Sequence, residues 1–252
     1  MADRSGSIKR REARESLLLP RAVLEAALWC LERVADRFIA LGVTANAITV
    51  SSVVLAAIGG VLLGYGHFGG AAAAMVAASL GDALDGLVAR RSGTASVAGA
   101  LLDASVDRYE EFLFLGGLAV YFRESTPALL LTLGALAGSF MVSYGSAKAE
   151  ALGVPVPPGV MRRAERAVCL CAGVALMPCF AWAVRAAVLP AWAERAPIFV
   201  ALGLVAVVAN VSAVRRLRAL ARGRATTAAV VLEAAPESDR TSVVAPEPVR
   251  VR

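Results

Sequence analysis

Four aspartates, Asp82, Asp85, Asp103 and Asp107, stand inside or beside two strongly apolar stretches. The pattern is Asp82-x2-Asp85-Gly86-x2-Ala89-Arg90-x8-Gly99-x3-Asp103-x3-Asp107. A carboxylate at the centre of a membrane helix costs about 2.5–3.5 kcal/mol, so four uncompensated ones would cost roughly 10–14 kcal/mol. Divalent cations offset such a cost, because hard cations take carboxylate and phosphate oxygens together. The pattern therefore points to a cation site able to hold a phosphate. The structural alternative is that the acids pair with Arg90, Lys148 or Arg163 as buried salt bridges.

The surrounding sequence is that of an all-α integral membrane protein. Of the 252 residues 58% are hydrophobic, and the mean hydropathy is +0.66. Apolar runs near 46–66, 69–90, 95–121, 127–150, 165–189 and 196–214 are each about long enough to span a bilayer. They predict a six-transmembrane-helix bundle. Strands alternating apolar and polar residues are absent from the sequence, which argues against a β-barrel. The start, MADRSGSIKRREAR, is too basic for a cleaved signal peptide. Residues 1–16 read as a disordered N-terminus, and 221–252, mixing Pro, Glu and short apolar residues without period, as a disordered cytoplasmic tail.

Between them, 17–220 form the membrane domain. It opens with an amphipathic interfacial helix over 17–41, with Leu24, Ala27, Leu28, Leu31, Val34 and Phe38 on one side and Glu25, Glu32, Arg33 and Asp36 on the other. Lys and Arg cluster before the first span, at Arg90 and Arg91, around Lys148 to Arg166, and from Arg215 to Arg224. In a six-helix path these clusters share one side, so both termini and the Arg90 loop are expected in the cytoplasm, with the protein in the cell (inner or plasma) membrane. The net charge of +6 is then a membrane-surface and anion effect. No aromatic–basic motif supports nucleic-acid binding. The four cysteines form no disulfide or zinc framework, and His67 reads as a loop residue. Gly59-Gly60, Gly69-Gly70 and an Ala-rich run suit closely packed membrane helices.

A hairpin centred between Ser92 and Gly93 puts Asp82 and Asp103 each about ten residues from its tip, roughly 15 Å along the helix. Asp82 and Asp85 share one helix face, as do Asp103 and Asp107. One cluster built from two helices results. Gly86 and Gly99 leave room beside the backbone for a ligand or facing helix. Arg90 offers a fork for phosphate, and Ser96 or Thr94 a hydroxyl.

The string from Asp82 to Asp107 resembles the signature of the CDP-alcohol phosphatidyltransferase family, with all eight defining residues at the family spacing. The resemblance implies a six-span enzyme with an interfacial helix and two divalent ions, Mg2+ or Mn2+. It makes Asp82, Asp85, Asp103 and Asp107 the metal ligands and Asp107 also the general base. Asn46, Thr49, Gly86, Arg90 and Ser96 are then expected against the CDP-lipid. The expected reaction transfers a phosphatidyl group from CDP-diacylglycerol to a small phosphorylated alcohol and releases CMP, in phospholipid biosynthesis. The family also implies a homodimer.

The segments Ser143–Glu150 and Gly159–Arg166 resemble the SYxRARAE and RxER elements of the phosphatidylinositol phosphate synthase branch. Lys148, Arg163 and Arg166 are accordingly expected to hold the phosphate of myo-inositol 1-phosphate. Pairing of Arg166 with Glu150, or anchoring at the membrane surface, is the alternative. Ser146 stands where that branch usually has Lys or Arg, and Ala45 where Pro is common. Glycerol 3-phosphate is the competing acceptor. A cation-coupled membrane transporter is the competing function of another class.

Overall fold

A computed structural model describes the backbone of residues 21–154 and 160–234. Within these residues the chain is helical, without strands, and the expected N-terminal disorder over 1–16 lies outside them. The helices are α1 (Arg21–Ala40), α2 (Ala45–Gly64), α3 (Phe68–Arg91), α4 (Val97–Tyr121), α5 (Thr126–Ala151), α6 (Arg163–Arg185) and α7 (Ala196–Ala234), with a short 3-10 helix at Ala191–Arg195 before the last. α2, α3, α5, α6 and the Ala191–Arg222 stretch are long and apolar enough to cross a membrane. α4 occupies the expected third span and has the length, but it carries Asp103, Asp107, Arg108, Glu110 and Glu111. The chain is a multi-pass membrane protein.

Two expectations change. α7 continues as helix to Ala234, because no proline interrupts the Arg-, Leu- and Ala-rich sequence before Pro236. The disorder expected over 221–234 is replaced by helix, and the rest of the expected tail, 235–252, lies outside the described residues. On α1 the packed face is also rotated. Ala35 is fully buried and is joined by Leu31, Phe38 and Ile39, whereas Val34 is exposed. Steps of four, three and one residues from Leu31 keep that stripe on one side of the helix.

The chain divides into two compact parts, one of 1–129 with 171–198 and the other of 130–170 with 199–252. In the first, α2 packs along both α3 and α4, while α3 and α4 touch each other little. The α2–α4 crossing is unusually close. A Cβ added at Gly117 would lie 2.2 Å from the Gly60 carbonyl oxygen, and one at Gly60 would lie 2.5 Å from the Leu113 carbonyl. Only glycine fits both positions.

Two left-handed glycines make the turns on which the site is built. Gly42 (φ +72) closes α1 as its NH reaches Ile39 O and the Val43 NH reaches Phe38 O. Thr44 then caps α2 by accepting from the Ala47 NH. Gly93 (φ +70) lies in the hairpin between α3 and α4, where the Thr94 NH reaches back to Ala89 O, and Ser96 caps α4 through the Gly99 NH.

In the second part, Asn210 of α7 donates to Gly134 O of α5 at 2.9 Å and to Ala206 O at 2.7 Å. Gly138 leaves the room this amide needs, since a Cβ there would meet it at 2.5 Å. An amide shared between two backbones suits a setting without competing water.

Candidate active site

The last turns of α3 and the first turns of α4 bring three carboxylates together. Oxygens of Asp82, Asp85 and Asp103 lie within 4.8 Å of one another. Ligand oxygens bind Mg2+, and larger hard cations, at about 2.0–2.6 Å, so oxygens across one ion stand roughly 4–5 Å apart. The three carboxylates thus have both the chemistry and the spacing for a divalent ion. Asp107, one turn further along α4 and half-buried, does not belong to this group of three. Asp85 is buried at 5% exposure, Asp82 is half-buried and Asp103 is exposed.

Asp85 is held from behind. Thr49 of α2, itself 5% exposed, donates its hydroxyl to Asp85 Oδ2 at 2.5 Å. Charge-assisted O–H···O⁻ bonds are short and roughly twice as strong as neutral ones. The bond fixes the rotamer of one carboxylate and links α2 to the cluster. Thr49→Val keeps the shape and deletes the donor, so it is expected to weaken Mn2+ binding by about 10–100-fold, the usual cost of a lost partner behind a metal ligand. Thr49→Ser is expected to stay within a few-fold, and Mn2+ titration followed by electron paramagnetic resonance checks both.

A cavity of about 840 Å3 opens beside the carboxylates. Asn46, Thr49, Gly86, Arg90 and Ser96 all line it, together with Asp85 and Asp103. The five residues expected to meet a CDP-lipid are therefore gathered on one surface. Gly86 has a specific use in this wall. A Cβ there would come within 3.1 Å of the Arg90 Nη1, so the missing side chain lets the guanidinium lie over the helix. Ser96 also serves as the α4 cap. Thr94 meets Ser92 through their hydroxyls at 2.8 Å.

The basic residues expected to read the acceptor fall in the second part of the chain. Lys148 is exposed on α5 and Arg163 half-buried at the start of α6. Arg166 is 1% exposed. It donates to Met161 O at 2.8 Å and to Ser143 Oγ at 3.4 Å. Met161 holds a left-handed backbone (φ 63), which turns its carbonyl into reach. Glu165 accepts from the Arg162 NH at 3.0 Å and so caps α6.

Arg216 was missed by the sequence reading, which counted it with surface cations. It is only 5% exposed and donates from Nη1 to Ser146 Oγ at 2.5 Å. A cation thus stands against position 146, where the sequence lacks one. Arg162 and Arg166 are near enough to repel it. Ala209, Ser212, Ala213, Arg216 and Leu220 are all buried at helical spacing, leaving Arg215 and Arg218 on the exposed face; the small residues on that stripe are the one sequence cue to the face that turns inward.

Membrane helices, a carboxylate cluster fit for a divalent ion and a cavity beside it define a metal-dependent membrane enzyme. A family model described as CDP-alcohol phosphatidyltransferase matches residues 42–208, and the chain belongs to that family. The transporter reading falls with this result. A phosphatidylinositol phosphate synthase of Mycolicibacterium smegmatis is 33% identical over 147 residues, covering 57% of this chain and 66% of the relative. An archaetidylinositol phosphate synthase of Methanothermobacter thermautotrophicus is 32% identical over 143 residues, 57% of this chain and 70% of the relative. Among solved structures, the Mycobacterium tuberculosis phosphatidylinositol phosphate synthase with CDP-DAG bound superposes with a TM-score of 0.64 at 26% identity. It covers 75% of this chain and 92% of that one. The same enzyme has been solved with manganese and citrate.

Proposed function

We propose that this enzyme transfers the phosphatidyl group of CDP-diacylglycerol to the hydroxyl of myo-inositol 1-phosphate, releasing CMP. The observation that carries the reading is the cavity wall, where Asn46, Thr49, Gly86, Arg90 and Ser96 meet Asp85 and Asp103. The relatives named for inositol phosphate products support the acceptor.

In this reading Asp82, Asp85, Asp103 and Asp107 hold two divalent ions, which when bound neutralise charge on the pyrophosphate and on the leaving CMP. The rest is done by the chain's own side chains. Asn46 and Ser96 border the nucleotide, and Arg90 reaches its phosphates with a bidentate fork. Asp107 accepts the proton of the acceptor hydroxyl, whose oxygen attacks the lipid-side phosphorus as the bond to CMP breaks. A carboxylate outside the group of three is suited to this step, because its oxygens can face a hydroxyl as well as an ion. Lys148, Arg163 and Arg166, with Arg216 added, hold the acceptor phosphate. The Lys and Arg clusters support a site and both termini facing the cytoplasm, in the cell membrane, and the family resemblance supports a homodimer.

Purified enzyme supplied with CDP-diacylglycerol and Mg2+ or Mn2+ is expected to release CMP faster with myo-inositol 1-phosphate than with glycerol 3-phosphate. The reverse order discards the acceptor assignment and leaves the transferase reading in place. Lys148→Ala and Arg163→Ala are each expected to raise the acceptor KM by roughly tenfold, the scale of one charge-assisted hydrogen bond, with little change for the CDP-lipid. Equal effects on both substrates would remove the acceptor pocket.

A further inference from the structure

We propose that Arg91 is a positioning residue for the CDP-lipid cavity: its ion pairs latch the interfacial helix α1 to the end of α3 and so set the shape of the cavity mouth. The proposal rests on the preceding reading of that cavity. Arg90 and Arg91 are adjacent, and successive helix residues point about 100° apart. Arg90 lines the cavity. Arg91 turns the other way, onto α1, where Nη2 meets the Glu32 carboxylate at 3.3 Å. Its Nη1 meets the Asp36 carboxylate and the Glu32 carbonyl at 3.3 Å.

The two acids are one helical turn apart, so a single guanidinium bridges both and a backbone oxygen as well. Its fork geometry makes this possible; a lysine ammonium acts as a point charge and does not match it. The pairs are about one-third to one-half exposed, and such pairs add little stability on their own. Docking strength comes instead from the apolar contact behind them, where buried Ala35 meets Ile48, Leu84 and Val88. Apolar contact is non-directional, so it leaves the rotation and slide of α1 poorly determined. The three-point contact of Arg91 determines them.

That register reaches the cavity within a few residues. Ile39, Gly42 and Val43 belong to its wall, and they begin three residues after Asp36. The left-handed turn at Gly42 then delivers Asn46 and Thr49. A shift of α1 along α3 therefore moves the wall made by Ile39 to Val43 and the α2 residues that meet the nucleotide. The acceptor residues belong to the other part of the chain.

The test is a charge-swap set in the full-length enzyme: Arg91→Lys, Arg91→Glu, Asp36→Arg and the double Asp36→Arg/Arg91→Glu. CDP-diacylglycerol binding in detergent is read beside KM for each substrate and kcat. Arg91→Glu is expected to weaken CDP-lipid binding and raise its KM by about fivefold or more, since it replaces attraction by repulsion at two carboxylates. Arg91→Lys falls between, and the double variant returns most of the affinity. The KM for the phosphorylated alcohol stays within about twofold of the wild type, the size of a weak exposed pair. Unchanged CDP-lipid binding in Arg91→Glu overturns the latch, as does a double variant no better than the single, or an equal rise in both KM values. A wild-type enzyme that binds no CDP-lipid at all overturns the reading of the cavity. That outcome is distinct from a wild type that binds alongside variants that bind equally well.

Discussion

Asp85→Asn is expected to abolish CMP release, by about three orders of magnitude or more, while the protein remains folded. Three orders correspond to roughly 4 kcal/mol of transition-state stabilisation, within the several kcal/mol that a properly held divalent ion contributes. Asp85 is the carboxylate to choose, because it is buried, lines the cavity and is held by Thr49 at 2.5 Å. Asparagine keeps the shape and can still accept from the Thr49 hydroxyl, but it removes one negative charge from the group of three. Stability separates this reading from the salt-bridge alternative. If Asp85 served to neutralise an arginine, Asn would strand a buried charge and destabilise the fold by about 3–5 kcal/mol. If the acids are gathered for a cation, the metal-free protein loses a like-charge repulsion and melts at the same temperature or higher. Thermal melts with and without Mn2+, beside a CMP-release assay, decide between the two.

Gly117→Val should be as severe by a different route. Its first side-chain atom would sit 2.2 Å from the Gly60 carbonyl, a backbone atom that cannot rotate away. Overpacking of this kind typically costs about 1–3 kcal/mol, and more where the backbone itself must move. α2 and α4 must separate, and both carry site residues: Thr49 on α2 and Asp103 on α4. Asp103 is fourteen residues from Gly117, about 21 Å along the helix, so a small tilt at the crossing becomes a large displacement at the carboxylates. We expect loss of most folded protein, and no Mn2+ binding in what remains. Gly116→Ala is the control. Nothing lies within 4 Å of a Cβ there, and alanine favours helix by up to about 1 kcal/mol. Yield from membranes and thermal stability should be unchanged or improved.

The carboxylate cluster was legible because its geometry is local. Two helices joined by a short turn, with acids equally far from the tip, bring Asp82 and Asp103 together by helical rise alone. The turn at Gly93 falls where the hairpin midpoint was placed. What escaped the sequence depends on contacts between distant segments. The Thr49–Asp85 bond joins residues 36 apart, and the Arg91 ion pairs join residues more than 50 apart. The Gly60–Gly117 crossing needs two glycines on separate helices to meet. Gly59-Gly60 and Gly69-Gly70 both mark close packing in the sequence, but composition cannot say which helix approaches either pair. Arg216 was obscured for another reason. Five arginines stand close together from Arg215 to Arg224, and the charge rule that orients a membrane protein is indifferent to which of them turns inward. The rotated face of α1 is a smaller error of the same origin, since Val34 and Ala35 both fit an apolar stripe until a partner helix selects one.

The division of the chain has an evolutionary consequence. Everything assigned to the cytidine lipid and its ions lies between Asn46 and Asp107, in the first part of the chain, whereas every cation assigned to the incoming alcohol lies between Lys148 and Arg216, in the second. Mutations can therefore remodel the choice of alcohol without disturbing the machinery that activates the donor. Exchanging the second portion alone is the economical route to a new head group.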